Sequence, residues 1–151
     1  MIIQIKRIIY LSCFLFLTFT GVFSQDYSSL NNYTCDWETP SSWNPAWPVP
    51  QTIISGYNMT INGYIILNGS LSFTGSADIL TINDTLVVRG NLLLGNNNDI
   101  IINDNGILII QGSFTMNNQT LVTANGYLII TGDFAKNSAQ ILKESQIQLI
   151  L

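Results

Sequence analysis

An all-β fold, a parallel β-solenoid (β-helix) of about five rungs behind an amino-terminal Trp/Pro-rich cap, is the architecture the sequence predicts, and three observations predict it. Four ten-residue segments align, NGYIILNGSL (62–71), NDTLVVRGNL (83–92), NGILIIQGSF (105–114) and NGYLIITGDF (125–134), and define a repeat of 20–22 residues. Each carries an aliphatic triplet that is rich in β-branched residues and too short for a helix. The third observation is compositional: 47% of the 151 residues are apolar and only 9% charged, against roughly 25% charged in an ordinary soluble domain. Stacked rungs account for that deficit, because a column of identical charges repels itself.

Residues 1–24 read as a secretory signal peptide: a basic start (Lys6, Arg7), an apolar run from Ile8 to Phe19, and a small-residue exit at Gly21, Val22 and Ser24, with cleavage before Gln25. The apolar run is shorter than the roughly 20 residues of a spanning helix. A lipoprotein signal using Cys13 is the rival, against which Tyr10 stands where an aliphatic residue is expected. Residues 25–50 form a linker and cap that holds all three tryptophans (Trp37, Trp43, Trp47) and all four prolines (Pro40, Pro45, Pro48, Pro50). A solenoid has to cover the open edge of its first rung, and a rigid aromatic segment suits that task. An aromatic ligand platform is the functional alternative for the same residues.

Residues 51–151 are the solenoid repeats. The triplets Ile65-Ile66-Leu67, Leu86-Val87-Val88, Leu108-Ile109-Ile110 and Leu128-Ile129-Ile130 are strands, each followed by a polar residue, a Gly and a second short strand such as Leu71–Phe73 or Phe114–Met116. A third apolar stretch, as in Ile79–Ile82 and Ile100–Ile102, completes the rung. Alternation then sends the first and third residues of each triplet inward to stack at about 4.8 Å, with Leu71, Leu92, Phe114 and Phe134 as a further core column. Asn62, Asn83, Asn105 and Asn125 are expected to stack at a turn as a hydrogen-bonded asparagine ladder, the following Gly tolerating positive φ.

The outward middle residues Ile66, Val87, Ile109 and Ile129 make an aliphatic ladder, a candidate docking face for a partner. Asp78 and Asp99 each begin a third strand and are placed on neighbouring rungs, with Gln119 and Gln140 continuing the column. Such a pair suits Ca²⁺ or the acid pair of a glycan-cleaving β-helix, with solvated turn residues as the competing reading. Thr60, Thr81 and Thr123 form a column interrupted by Asn103, too irregular for an ice-binding array. Tyr57, Tyr64 and Tyr127 are candidates for stacking on sugars but do not fall on adjacent rungs.

Several function classes are disfavoured outright. The chain has no histidine, which removes Ser-His-Asp and Cys-His catalysis and His-ligated zinc. Beyond residue 24 only Arg89, Lys136 and Lys143 stand against all nine acids, so no basic stripe exists for nucleic acid. Cys35 is the one cysteine after the signal, either a buried free thiol or one side of an intermolecular bridge. Asn32, Asn58, Asn68, Asn83 and Asn118 lie in glycosylation sequons, which matter only in a eukaryotic source.

Trp37-x5-Trp43 followed by Pro48-Val49-Pro50, Ile53-Ile54-Ser55-Gly56 and the Asn-Gly-x-Leu-Ile-Ile-x-Gly repeats resembles the start of exported surface proteins of Bacteroidetes-type bacteria. It is also similar to the opening of the G8 domain, a β-rich extracellular module. The resemblance covers about residues 37–134 and implies a parallel β-helix with a role in adhesion or polysaccharide contact, and no catalytic residue carries over. No sorting domain follows, and the final stretch lacks the Asn-Gly start, so a truncated chain or a partner at the last rung is expected. Taken together, the expectation is a secreted or cell-surface structural or adhesive module without catalytic activity. A glycan-binding or glycan-cleaving β-helix is the alternative. No cofactor is expected beyond the Ca²⁺ that Asp78 and Asp99 would suit. Candidate partners are a protein or polysaccharide at the cell surface, with end-to-end contact at the carboxy-terminal rung; neither nucleic acid nor a membrane span after cleavage is expected.

Overall fold

A computed structural model describes residues 25–143 and 147–149, which form an all-β parallel solenoid. The expected signal peptide and the carboxy-terminal Leu151 lie outside the described residues. Three parallel stacks run along the molecule. Sheet I contains β4 (Ile53–Ile54), β7 (Leu71–Phe73), β10 (Leu92–Leu94), β13 (Phe114–Met116) and β16 (Phe134–Lys136). Sheet II contains β5 (Met59–Ile61), β8 (Ile79–Ile82), β11 (Asp99–Ile102), β14 (Leu121–Ala124) and β17 (Gln140–Lys143). Sheet III contains β6 (Tyr64–Leu67), β9 (Thr85–Val88), β12 (Ile107–Ile110), β15 (Tyr127–Ile130) and β18 (Ile147–Leu149). The chain visits sheets I, II and III in turn, so the five strands of a stack are joined by four turns of the solenoid.

Stacking begins before residue 51. Strand β1 (Tyr27–Ser29) pairs parallel with β5, and β2 (Thr34–Asp36) pairs parallel with β6. Among the described residues only β3 (Trp43–Asn44), antiparallel to β1, breaks the pattern, after a 3-10 turn at Pro40–Ser42. The cap segment is therefore a partial first rung that carries a lid.

The triplet phase is as the alternation predicts. Ile65, Leu86, Leu108 and Leu128 are fully buried, as are Val88 and Ile110, with Leu67 and Ile130 at 1% exposure. Leu71, Leu92 and Phe114 fill the third column, and Phe134 packs against it half-buried, its ring 5.6 Å from that of Phe114.

Three kinds of corner join the sheets. Between sheets III and I the glycines Gly69, Gly90, Gly112 and Gly132 stack, with Gly90 N donating to Gly69 O at 2.9 Å and Gly112 N to Gly90 O at 3.0 Å. A Cβ at Gly90 would stand 2.7 Å from Gly69 O, so glycine is required there by the approach of two backbones. The same holds at the corner between sheets II and III. Gly63, Gly106 and Gly126 do not adopt positive φ, contrary to expectation; a Cβ at each would strike a carbonyl oxygen of the preceding rung.

Apart from Asn32 (φ 52°) in the turn between β1 and β2, positive φ is instead collected at the corner between sheets I and II. Gly56 (φ 82°), Ala77 (66°), Asn97 (60°), Gln119 (59°) and Ser138 (50°) each lie two residues before the aligned start of a sheet II strand, one left-handed residue per rung. An L-residue there costs about 1 kcal/mol or slightly more, and glycine relieves it. Ala77 is exposed, so Ala77→Gly is expected to raise stability by about 0.5–1 kcal/mol in urea denaturation.

Candidate functional site

Sheet III presents the most apolar outer surface. Its residues alternate with the buried columns, so Tyr64, Thr85, Ile107 and Tyr127 form one outward column and Ile66, Val87, Ile109 and Ile129 the next. The aliphatic ladder faces outward as expected but is less open than a free edge. Ile66, Ile109 and Ile129 are half-buried and Val87 keeps only 6% of its surface, because each residue is covered by its neighbours on adjacent rungs. The tyrosines project further, Tyr64 at 38% and Tyr127 at 43% exposure. Sheet II's outer surface is more polar, with the column Thr60, Thr81, Ile101, Thr123 and Leu142. The residue that interrupts the threonines is thus Ile101, and Asn103 belongs elsewhere.

Asn103 belongs to the asparagine ladder. Asn83 Nδ2 donates to Asn62 Oδ1 at 2.7 Å and Asn103 Nδ2 donates to Asn83 Oδ1 at 2.5 Å. Strand register places Asn125 next after Asn103. Asn105 is displaced from the ladder, and the reason is turn length. Two residues link β5 to β6, β8 to β9 and β14 to β15, but Asn103, Asp104, Asn105 and Gly106 link β11 to β12. Gly106 keeps the glycine position, Asn103 keeps the ladder position, and Asp104-Asn105 loops out. Asn83, Asn103, Asp104 and Asn105 line the open polar hollow that results.

Asp78 and Asp99 do not share a column. Asp99 pairs with Ile79, so Asp78 lies opposite Asn98 and the two carboxylates fall on opposite sides of the sheet. The cause is again turn length: five residues separate β7 from β8, and four separate β10 from β11. Asp99 is half-exposed and its Oδ1 accepts from Leu121 N at 3.0 Å. Asp78 is 2% exposed; its Oδ1 accepts from Gly56 N at 2.8 Å, while Oδ2 is buried without a hydrogen-bond partner. Asn98, fully buried, accepts from Asp78 N and donates to the carbonyls of Phe73 and Gly75. Gln119 stands in the left-handed column and Gln140 aligns with Asp99. Among the described residues no group of three or more His, Cys, Asp or Glu side chains is placed to hold a metal ion.

The cap divides its tryptophans. Trp37 and Trp43 are buried edge to face, centroids 4.9 Å apart, with Trp37 Nε1 donating to Pro50 O at 2.9 Å and Trp43 Nε1 to Trp37 O at 2.7 Å. Trp47 is 76% exposed and takes no part in the lid. Cys35 is half-buried and free, and hydrogen bonding from Ser42, then Thr39, holds its thiol below the usual range. Tyr57, half-buried, stands one rung before Asp78 in the same column, away from Tyr64 and Tyr127, and burial pushes its phenol up to about 12.

Sequence reasoning missed the left-handed column, whose residues share no side-chain type, and the orphaned Asp78 oxygen, which depends on turn length. Among the described residues no helix is long and apolar enough to cross a membrane. The molecule is, by fold, a parallel β-solenoid. No family model matches the chain, and no curated protein and no solved structure matches it.

Proposed function

We propose that the chain is a secreted or cell-surface structural and adhesive module without catalytic activity, in line with the exported Bacteroidetes-type and G8-like proteins its sequence resembles, and that it contacts its partner through the outer face of sheet III. The observation that carries this is the two adjacent outward columns, Tyr64 to Tyr127 and Ile66 to Ile129, which hold no charged residue between those ends and are bounded on β2 by the exposed Asp36 beside Ile66. Flat apolar patches of this kind mark contact surfaces. A glycan is the second candidate partner, favoured by the exposed rings of Tyr64 and Tyr127 in one column, three rungs or about 14 Å apart.

The test is binding of the chain to immobilised extracellular-matrix proteins and to a polysaccharide panel. Ile109→Asp is expected to lower binding at least about tenfold, while costing the half-buried ladder only about 1 kcal/mol of stability. Unchanged binding by this variant would remove sheet III from the contact. Loss confined to polysaccharide in a Tyr64→Ala/Tyr127→Ala variant selects the glycan, and release of reducing ends from any polysaccharide overturns the non-catalytic role.

A further inference from the structure

Four Asn-Gly pairs occur in the chain, Asn62-Gly63, Asn68-Gly69, Asn105-Gly106 and Asn125-Gly126. In such a pair the glycine backbone nitrogen can attack the asparagine side-chain carbonyl, because no Cβ on the glycine obstructs the approach. The four nitrogens are not equivalent. Gly63 N donates to Ser29 Oγ at 3.0 Å, Gly106 N to Asn103 O at 2.7 Å and Gly126 N to Ile102 O at 3.3 Å, and all three glycines are buried. Gly69 N–H donates to no group among the described residues. Gly69 is the first of its column: a Cβ built there meets nothing within 4 Å, whereas at Gly90, Gly112 and Gly132 it meets the backbone of the preceding rung.

The side chains differ as well. Asn62 is held at both ends, donating to Ser29 O at 3.2 Å and accepting from Asn83. Asn68 is exposed, and its Oδ1 accepts from Arg89 Nη1 at 2.7 Å. That guanidinium withdraws electron density from the amide carbonyl and stands where negative charge develops on Oδ1 when the carbonyl is attacked. Asn62, by contrast, has only uncharged partners, Ser29 O and the Asn83 amide.

We propose that Asn68-Gly69 is a self-modification site, in which Arg89 promotes conversion of Asn68 to aspartate or isoaspartate. Gly69 N bonds to Asn68 Cγ and loses its proton to solvent; the Cγ–Nδ2 bond breaks, and the departing nitrogen takes up a proton and leaves as ammonia. The resulting five-membered imide is opened by water at either carbonyl, which gives the two acids without any change of oxidation state. The new carboxylate stands beside Arg89 and turns a contact between a cation and an amide into an ion pair on the corner between sheets III and I.

The experiment is peptide mapping by mass spectrometry of the full folded chain held at mildly alkaline pH, reading amide-to-acid conversion at all four pairs. Conversion at Asn68 is expected to exceed that at Asn62, Asn105 and Asn125 by about tenfold or more, and Arg89→Met to slow it roughly tenfold, less than the loss seen on removing a donor from a buried oxyanion hole. In urea the four sites are expected to convert alike, with no effect of Arg89→Met. Faster conversion at Asn105 in the folded chain overturns the proposal, as does an Asn68 rate indifferent to Arg89 or a preference for Asn68 that persists in urea. The comparison among the four sites of the wild-type chain stands even if the Arg89 variant folds poorly.

Discussion

Trp37→Ala is expected to cost about 4 kcal/mol, within the 3–5 kcal/mol of a buried tryptophan truncation and a large part of the stability of a domain this size. Trp37 is 1% exposed and closes the first complete rung. Its backbone N–H donates to Ile66 O at 2.8 Å, its indole donates to Pro50 O, and its own carbonyl receives Trp43 Nε1. Truncation therefore empties the lid, removes the edge-to-face contact with Trp43 and leaves Pro50 O without its donor, while the core end at Leu67, next in register to Trp37, gains a route to water. Trp47→Ala is the control, expected to change stability by less than about 0.5 kcal/mol because its ring is already in solvent. Urea denaturation of both variants checks this; equal losses would mean that Trp47 belongs to the lid.

Gly126→Ala is expected to cost about 3 kcal/mol, the upper end of what overpacking does. The added Cβ meets Gly106 O, Asn103 O at 2.5 Å and Gly106 C at 3.0 Å, all of them backbone atoms. No flexible side chain can yield, so two rungs have to separate, and Gly106 O is also the acceptor of Tyr127 N at 2.9 Å. Gly69→Ala meets nothing within 4 Å and is expected to be nearly neutral. Thermal unfolding of the pair distinguishes crowding between rungs from a general demand for backbone freedom, since the latter would make both substitutions costly.

Much of this architecture was legible because a stacked rung repeats its own chemistry. The triplets gave the strands, their phase and the core columns, since β-branched residues in a period of two leave one choice of inner face. Stacking also explained why asparagine, glycine, serine and threonine stand where another surface carries charges. What escaped lies in the corners. Aligning the repeats on Asn-Gly placed Asn105 in the ladder, but in that dipeptide only Gly106 is fixed by the neighbouring rung, and the two-residue loop at Asp104-Asn105 frees the asparagine. The supposed pair Asp78 and Asp99 failed for the same reason, one extra residue in a turn moving Asp78 inward. The left-handed column had no signature because Ala77 and Gln119 occupy a conformation that neither favours. Of the candidate site, the outward phase of Ile66, Val87, Ile109 and Ile129 could be read from the sequence, whereas their mutual shielding and the alignment of Tyr64 with Tyr127 required the register.

The most direct measurement of that register is disulfide trapping in a chain with Cys13 and Cys35 replaced by serine. Adjacent parallel strands bring aligned Cα atoms to about 4.8 Å, inside the roughly 4.4–6.8 Å range that a disulfide spans. Asn83→Cys/Asn103→Cys is expected to close rapidly into an intramolecular disulfide under mild oxidation, and Asn83→Cys/Asn105→Cys to close slowly or not at all. Preferential closure of the second pair, or failure of both, would contradict the parallel stacking of these rungs with Asn103 in the ladder.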